Sequence, residues 1–240
     1  MEEVDLAHYY KDYPLNDVRL VFPIRVAYRN RLRRLKQAGL KPAHRILDYG
    51  CGGGLFVDYM KSQGFLNATG YDAFVSRFAH PETLQTAHYD YVVSYDVIEH
   101  VEDPRKFMAD VTGLLRPGGH LSVGTPRAEG VELQKKHDIA LHPPYHRHIL
   151  SENVLLLLGR QNGLALVDVY RGSLFDSWIP TANWRFISEY VEENDGLFDV
   201  AMEPPRPWMV LTSAKLLALA FFGSFVRRGD NMVISFGKRE

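Results

Sequence analysis

Two short stretches of the chain carry residue types that do chemistry. The first, RILDYGCGGG over residues 45–54, is an apolar run that stops at Asp48 and breaks into Gly50, Gly52, Gly53 and Gly54. Such a run reads as a buried parallel strand turning sharply into a helix. Glycine supplies turn dihedrals closed to other residues, and its missing side chain lets a ligand lie against the backbone. The following helix, Leu55 to Lys61, presents its unpaired N–H groups to the same loop. The second stretch, YDYVVSYDVIEHVEDP over residues 89–104, sets Tyr95, Asp96, Glu99 and His100 just beyond a buried strand at Tyr91–Val93. Open parallel sheets bind ligands outside the carboxyl ends of their strands, so carboxylates and an imidazole there could bind a ligand and move protons.

The glycine spacing selects among ligands. A dinucleotide site needs G-x-G-x-x-G, and the third glycine falls on Leu55 when read from Gly50 or on Val57 when read from Gly52. The pattern that fits is D-x-G-x-G-x-G through Asp48, Gly50, Gly52 and Gly54. This resembles motif I of the class I S-adenosylmethionine (SAM)-dependent methyltransferases. Asp72 ends a strand over Ala68–Tyr71, 22 residues beyond Gly50, where a carboxylate can accept both ribose hydroxyls; a helix N-cap is the alternative role. The second stretch, followed by RPGGHLSVGTP, is similar to the type-23 methyltransferase domain, a group that includes relatives of the ubiquinone-biosynthesis O-methyltransferases. The resemblance spans residues 45–170. It implies SAM as cofactor, held by Asp48, Gly50, Cys51, Gly52, Gly54, Asp72, Tyr95 and Asp96. It also implies methyl transfer to a small molecule, an apolar one among the options, with oxygen as the acceptor. A SAM-binding sensor or scaffold without turnover would carry the same loop.

His100 and His146 are the candidate catalytic bases, because an unperturbed imidazole titrates near neutrality. The bland roles are a loop-orienting hydrogen bond for His100 and a turn cap for His146. His137, His142, His146 and His148 crowd residues 126–150, but Pro143 and Pro144 deny His142 and His146 a common helix, and no H-E-x-x-H is present. No metal is assigned, although the family resemblance leaves an oxygen-rich divalent site at Glu99 and His100 open. Cys51, the single cysteine, excludes an intrachain disulfide and reads as a small filler of the loop.

The elements that must position these residues follow from periodicity. The expected fold is α/β, a doubly wound, Rossmann-like, mostly parallel sheet with an antiparallel last strand at Met232–Phe236. Only AFVSRFAHPETLQTAH separates Asp72 from Tyr89, so the third strand is expected to be shortened or missing, and no residue is assigned to adenine. Residues 1–44 form an N-terminal segment: Tyr9, Tyr10 and Tyr13 serve as a flap or as an aromatic anchor, and a helix spans residues 24–40. Its basic residues, Arg25, Arg29, Arg31, Arg33, Arg34 and Lys36, read as a solvated face. Residues 45–170 form the SAM-binding core, with Ser151 as N-cap of a helix through Leu155 and Leu158. Residues 171–229 form an aromatic-rich insertion, a substrate cap or interface, and 230–240 return to the core. Within the insertion, residues 208–226 are a nearly continuous apolar stretch interrupted by Lys215, with Thr212 and Ser213 beside it; a buried helix lining a substrate pocket or a dimer contact is expected, with membrane contact the lesser reading. The net charge of −1 gives no reason to expect nucleic acid. An acidic first stretch without an apolar core is no secretory signal, so the expected location is cytoplasmic.

Overall fold

The computed structural model describes residues 20, 22–131, 145–194, 206–225 and 229–240. The tyrosines at 9, 10 and 13, His137, His142 and Phe198 lie outside the described residues. Six strands form one sheet in the order β2-β1-β3-β4-β6-β5. They are β1 (Ile46–Tyr49), β2 (Ala68–Tyr71), β3 (Tyr89–Tyr95), β4 (Leu115–Pro126), β5 (Leu164–Arg171) and β6 (Asn231–Lys238). β2, β1, β3 and β4 pair in parallel, and β6 runs antiparallel between β4 and β5. The antiparallel last strand is therefore as expected. So is the missing strand: between β2 and β3 there is only a single 3-10 turn, Pro81–Thr83, which leaves β2 at the sheet edge.

Alternation along the strands sends side chains to two cores. Ile46, Tyr91 and Val93 face one side, where helix α1 (Phe22–Gln37) contributes Leu32 and Leu35 and α2 (Leu55–Ser62) contributes Phe56, Val57 and Met60. Leu47 and Val92 face the other side, against Phe107, Met108 and Val111 of α3 (Pro104–Leu114) and Leu155 and Leu158 of α4 (Glu152–Gln161). Local chemistry fixes the helix starts. Asp103 accepts from the Arg105 amide ahead of Pro104, and Ser151 accepts from the Val154 amide at 3.3 Å.

The insertion departs from expectation. It holds α5 (Trp184–Glu193), α6 (Pro207–Thr212) and α7 (Ala214–Phe222). The apolar stretch is not one buried helix. Ser213 ends α6 and caps α7, its hydroxyl accepting from the Leu216 amide, because a serine side chain satisfies an orphan helix donor better than a continued helix would use it. Leu216 and Ala220 are buried against Phe186, Ile187 and Tyr190 of α5, while Trp208, Leu211, Phe221, Phe222 and Phe225 remain exposed. Among the described residues no helix is long and apolar enough to cross a membrane.

Candidate active site

The glycine loop sits at the carboxyl end of β1. Gly50 and Cys51 donate their amides to the Tyr71 carbonyl at 2.7 and 3.1 Å, which ties the loop to the end of β2. Gly50, Gly52 and Gly54 all have positive φ, at 79°, 52° and 79°, so each fills a backbone state costly to other residues. Packing adds a second reason at two of them. A Cβ at Gly50 would collide with Val97, and one at Gly54 with the ring of Phe78. At those two positions protein side chains, rather than a ligand, occupy the space a side chain would need. The Cys51 thiol packs on Gly70, and burial pushes its pKa well above the ordinary thiol value, which keeps it protonated and a poor nucleophile.

Asp72 reaches back across the loop. One carboxylate oxygen accepts from the Gly52 amide at 2.9 Å; the other accepts from Phe74 at 2.9 Å and Val75 at 3.2 Å. A carboxylate has about four lone-pair sites, so one remains for a ligand hydroxyl beside the three backbone donors. Asp72 therefore caps a turn and braces the loop at once.

Asp48 is buried, and desolvation raises its carboxyl to about 6 against the pull of Arg31. Arg31 is the residue the sequence reading missed. Arg25, Arg29, Arg33 and Lys36 are exposed as a solvated face requires, but Arg31 turns inward. Its guanidinium lies 3.9 Å from the centre of the Tyr95 ring, 4.9 Å from that of Phe56 and 3.9 Å from the Asp96 carboxylate. The signal was present: Arg31 continues the buried row Ile24, Ala27 at i, i+3, i+7, so it points to the core. Tyr95 is buried under this cation and against Gly124, and its hydroxyl has no hydrogen-bond partner among the described residues. Asp96 follows with φ of 56°, a conformation rare outside glycine, and its carboxylate stands exposed beside Arg31.

On the other side of Asp96 the loop delivers a second cluster. Glu99 is fully buried, and burial, reinforced by Asp96, holds its carboxyl well above the usual carboxylate range. One oxygen accepts from Thr125 at 3.0 Å; Oε1 has no partner among the described residues. The Glu99 carbonyl accepts the amides of Arg147 and His148 at 2.8 and 3.1 Å, so residues 145–148 are pinned across the loop. This pinning brings His146 onto His100, with ring centres 4.6 Å apart and planes at 79°. His100 Nδ1 lies 3.1 Å from the Tyr145 carbonyl. A carbonyl only accepts, so Nδ1 carries the proton and the lone pair of the neutral ring is on Nε2. Glu99, His100 and His146 together offer ligating atoms within 4.8 Å of one another. The structure thus joins the two histidines that the sequence placed 46 residues apart, and adds Glu99 to them.

Residues 24–169 match the type-23 family model described as a methyltransferase domain. The chain belongs to this methyltransferase family. Among curated relatives, the ubiquinone biosynthesis O-methyltransferase of Rickettsia felis is 32% identical over 99 residues, 33% of this chain and 40% of that protein. That of Xanthomonas axonopodis pv. citri is 27% identical over 195 residues, 70% of this chain and 79% of that protein. The match thus spans only about two fifths of the first relative's length. Two solved structures share the fold. Phosphoethanolamine N-methyltransferase 2 of Haemonchus contortus, determined with S-adenosyl-L-methionine, superposes with a TM-score of 0.57 at 17% identity over 100% of this chain and 61% of that one. An S-adenosylmethionine-dependent methyltransferase of Mesorhizobium loti gives 0.52 at 18% identity over 88% and 98%. The fold is accordingly the Rossmann-like sheet of class I methyltransferases, without its usual third strand.

Proposed function

We propose that the chain is a SAM-dependent methyltransferase that methylates a small molecule at oxygen. The observation that carries this reading is the juxtaposition, at the carboxyl ends of neighbouring parallel strands, of a nucleotide-type loop and an imidazole–carboxyl cluster. The residues present fit the cofactor. The glycine loop offers backbone for close approach, Asp72 keeps one acceptor site for a ribose hydroxyl, and Arg31 supplies a partly buried cation near Asp48 for a carboxylate. When bound, SAM supplies a methyl group already activated on a sulfonium. The chain must then hold the acceptor in line and exclude water, which is worth about 7 to 11 kcal/mol in well-aligned reactions. His100 Nε2 is the atom suited to take the acceptor's proton, with His146 packed against its ring and Glu99 behind it. Oxygen as acceptor is supported by the names of the curated relatives, which are O-methyltransferases.

The unpartnered Glu99 Oε1 favours one variation. Glu99, His100 and His146 would hold a divalent cation, which as a Lewis acid would lower the pKa of a coordinated hydroxyl. The non-catalytic sensor is the rival of another class, and it would keep the loop and Asp72 unchanged.

Calorimetry with SAM, paired with methyl release from labelled SAM in a fractionated extract, tests the proposal. SAM binding with turnover of one fraction is the expected result. SAM binding with no turnover under any fraction favours the sensor, and no SAM binding overturns both.

A further inference from the structure

From the exposed face of α6 and α7 we infer that the insertion docks the protein on an anionic lipid surface, lying in the interface without crossing it. Residues 207–225 contain a single charge, Lys215, and Glu189 neutralises it at 2.5 Å. The inner row of α7, Leu216 and Ala220, is satisfied by α5. Its outer row should be polar in an ordinary surface helix. Instead Leu217, Phe221 and Phe222 lie there, continued by Phe225, with Phe222 and Phe225 each 65% exposed. Trp208 and Leu211 of α6 extend the patch, and Trp178, 77% exposed, stands edge-on to Phe225 at 5.1 Å.

A helix apolar on both rows needs an apolar neighbour on both. Three features favour a bilayer as that neighbour. Tryptophan and phenylalanine with no acidic residue among them match the composition of interfacial segments. Arginine brackets the stretch in the sequence, with Arg206 before it and Arg227 and Arg228 after it, complementary to anionic headgroups. Helices of six and nine residues are too short to span, so they must lie in the plane. The start of the insertion is also tied to α1. Asn30, buried on α1 next to Arg31, donates to the carbonyls of Leu174 and Asp176 at 2.8 and 3.0 Å, where the insertion begins.

The test uses the full chain with vesicles of phosphatidylcholine alone or mixed with phosphatidylglycerol. Flotation with the mixed vesicles, falling as salt rises, is expected, together with quenching of tryptophan emission by brominated acyl chains. Phe221→Ser/Phe222→Ser/Phe225→Ser should lower vesicle partition at least about tenfold. Because these side chains are exposed, its thermal transition should match the parent's. Trp208→Ala/Leu211→Ala on the separate helix α6 provides a second reading, with the same direction expected. If the parent chain neither floats nor is quenched, or if both variants float as well as the parent, the inference is wrong. Dimerisation of the parent that the triple variant abolishes, without flotation, would assign the face to a second copy and overturn it equally.

Discussion

Asp48 and Arg31 show how one residue pair sets the electrostatics of the loop. The Asp48 carboxyl is raised from 3.8 to about 6, chiefly by burial. A raised folded-state pKa means the native state holds a proton that the unfolded chain has released. The associated stability is therefore complete below pH 4 and is lost as pH rises through 6, by about 3 kcal/mol for a shift of this size. Denaturant melts of the cofactor-free protein should show this fall between pH 4 and 6, and Asp48→Asn should flatten it. Equal slopes in the two proteins would mean that Asp48 is solvated more than its burial implies. The histidines make a separate expectation. With the His100 proton fixed on Nδ1 by the Tyr145 carbonyl, His100→Ala should cost about 10² to 10⁴-fold in methyl transfer and remove an acidic limb from the pH–rate profile. His146→Ala should cost less, since it supports the His100 ring rather than replacing it, and SAM affinity should be unchanged in both. A His100→Ala variant that keeps rate and limb would leave alignment alone as the source of catalysis.

At the scale of elements, the segment between β2 and β3 replaces a helix and a strand with a short cover. Phe78 is its key, resting on Gly54 and near Gly70 while its carbonyl accepts the Asp72 amide at 3.2 Å. Gly54→Ala is expected to destabilise the protein by about 1 to 3 kcal/mol, from strain at φ 79° and from displacement of the ring. Adding Phe78→Ala should recover the packing part but not the strain, so a double-mutant cycle measured by denaturant melts should show coupling. Additive effects would place the ring elsewhere. Much of this level was legible in the sequence: β2 falls on Ala68–Tyr71 as read, α2 runs one residue past the expected Lys61, and Ser151 caps α4. Strand and helix periods are local, and so are caps. What stayed hidden was tertiary. By charge alone Arg31 is one basic residue among six; its spacing from Ile24 and Ala27 sets it on the inward row, but that Tyr95, Phe56 and Asp96 meet it there is not local information. Glu99 stands beside His100 in the sequence already, but its meeting with His146 depends on the Arg147 and His148 amides that its carbonyl accepts and on the contact with Thr125. The apolar stretch 208–226 misled because hydrophobicity alone does not say which neighbour will cover it.

Across the whole molecule the question is what the insertion does for a core that already holds the glycine loop and the histidine pair. β5 and β6 pair directly, and the Gly172 amide donates to the Asn231 carbonyl at 2.9 Å, so the two strands approach each other just where the insertion leaves the sheet. The chain could therefore close there with a short turn. The segment at 173–176 should be kept, because Asn30 is buried and donates to Leu174 and Asp176; stranding its amide would cost about 1 to 3 kcal/mol. Replacing residues 178–227 with a glycine–serine linker that retains those carbonyls should therefore leave the sheet, the loop and Asp72 in place. SAM affinity measured by calorimetry should stay within about threefold of the parent, since the loop is held by Tyr71 and Asp72 of the core. Methyl transfer should fall below detection if the aromatic insertion supplies the acceptor pocket, because pockets for small molecules are built from such side chains. A shortened chain that binds SAM and still transfers methyl at the parental rate would place the acceptor pocket within the core, beside His100 and His146, and would leave the insertion with its surface role alone.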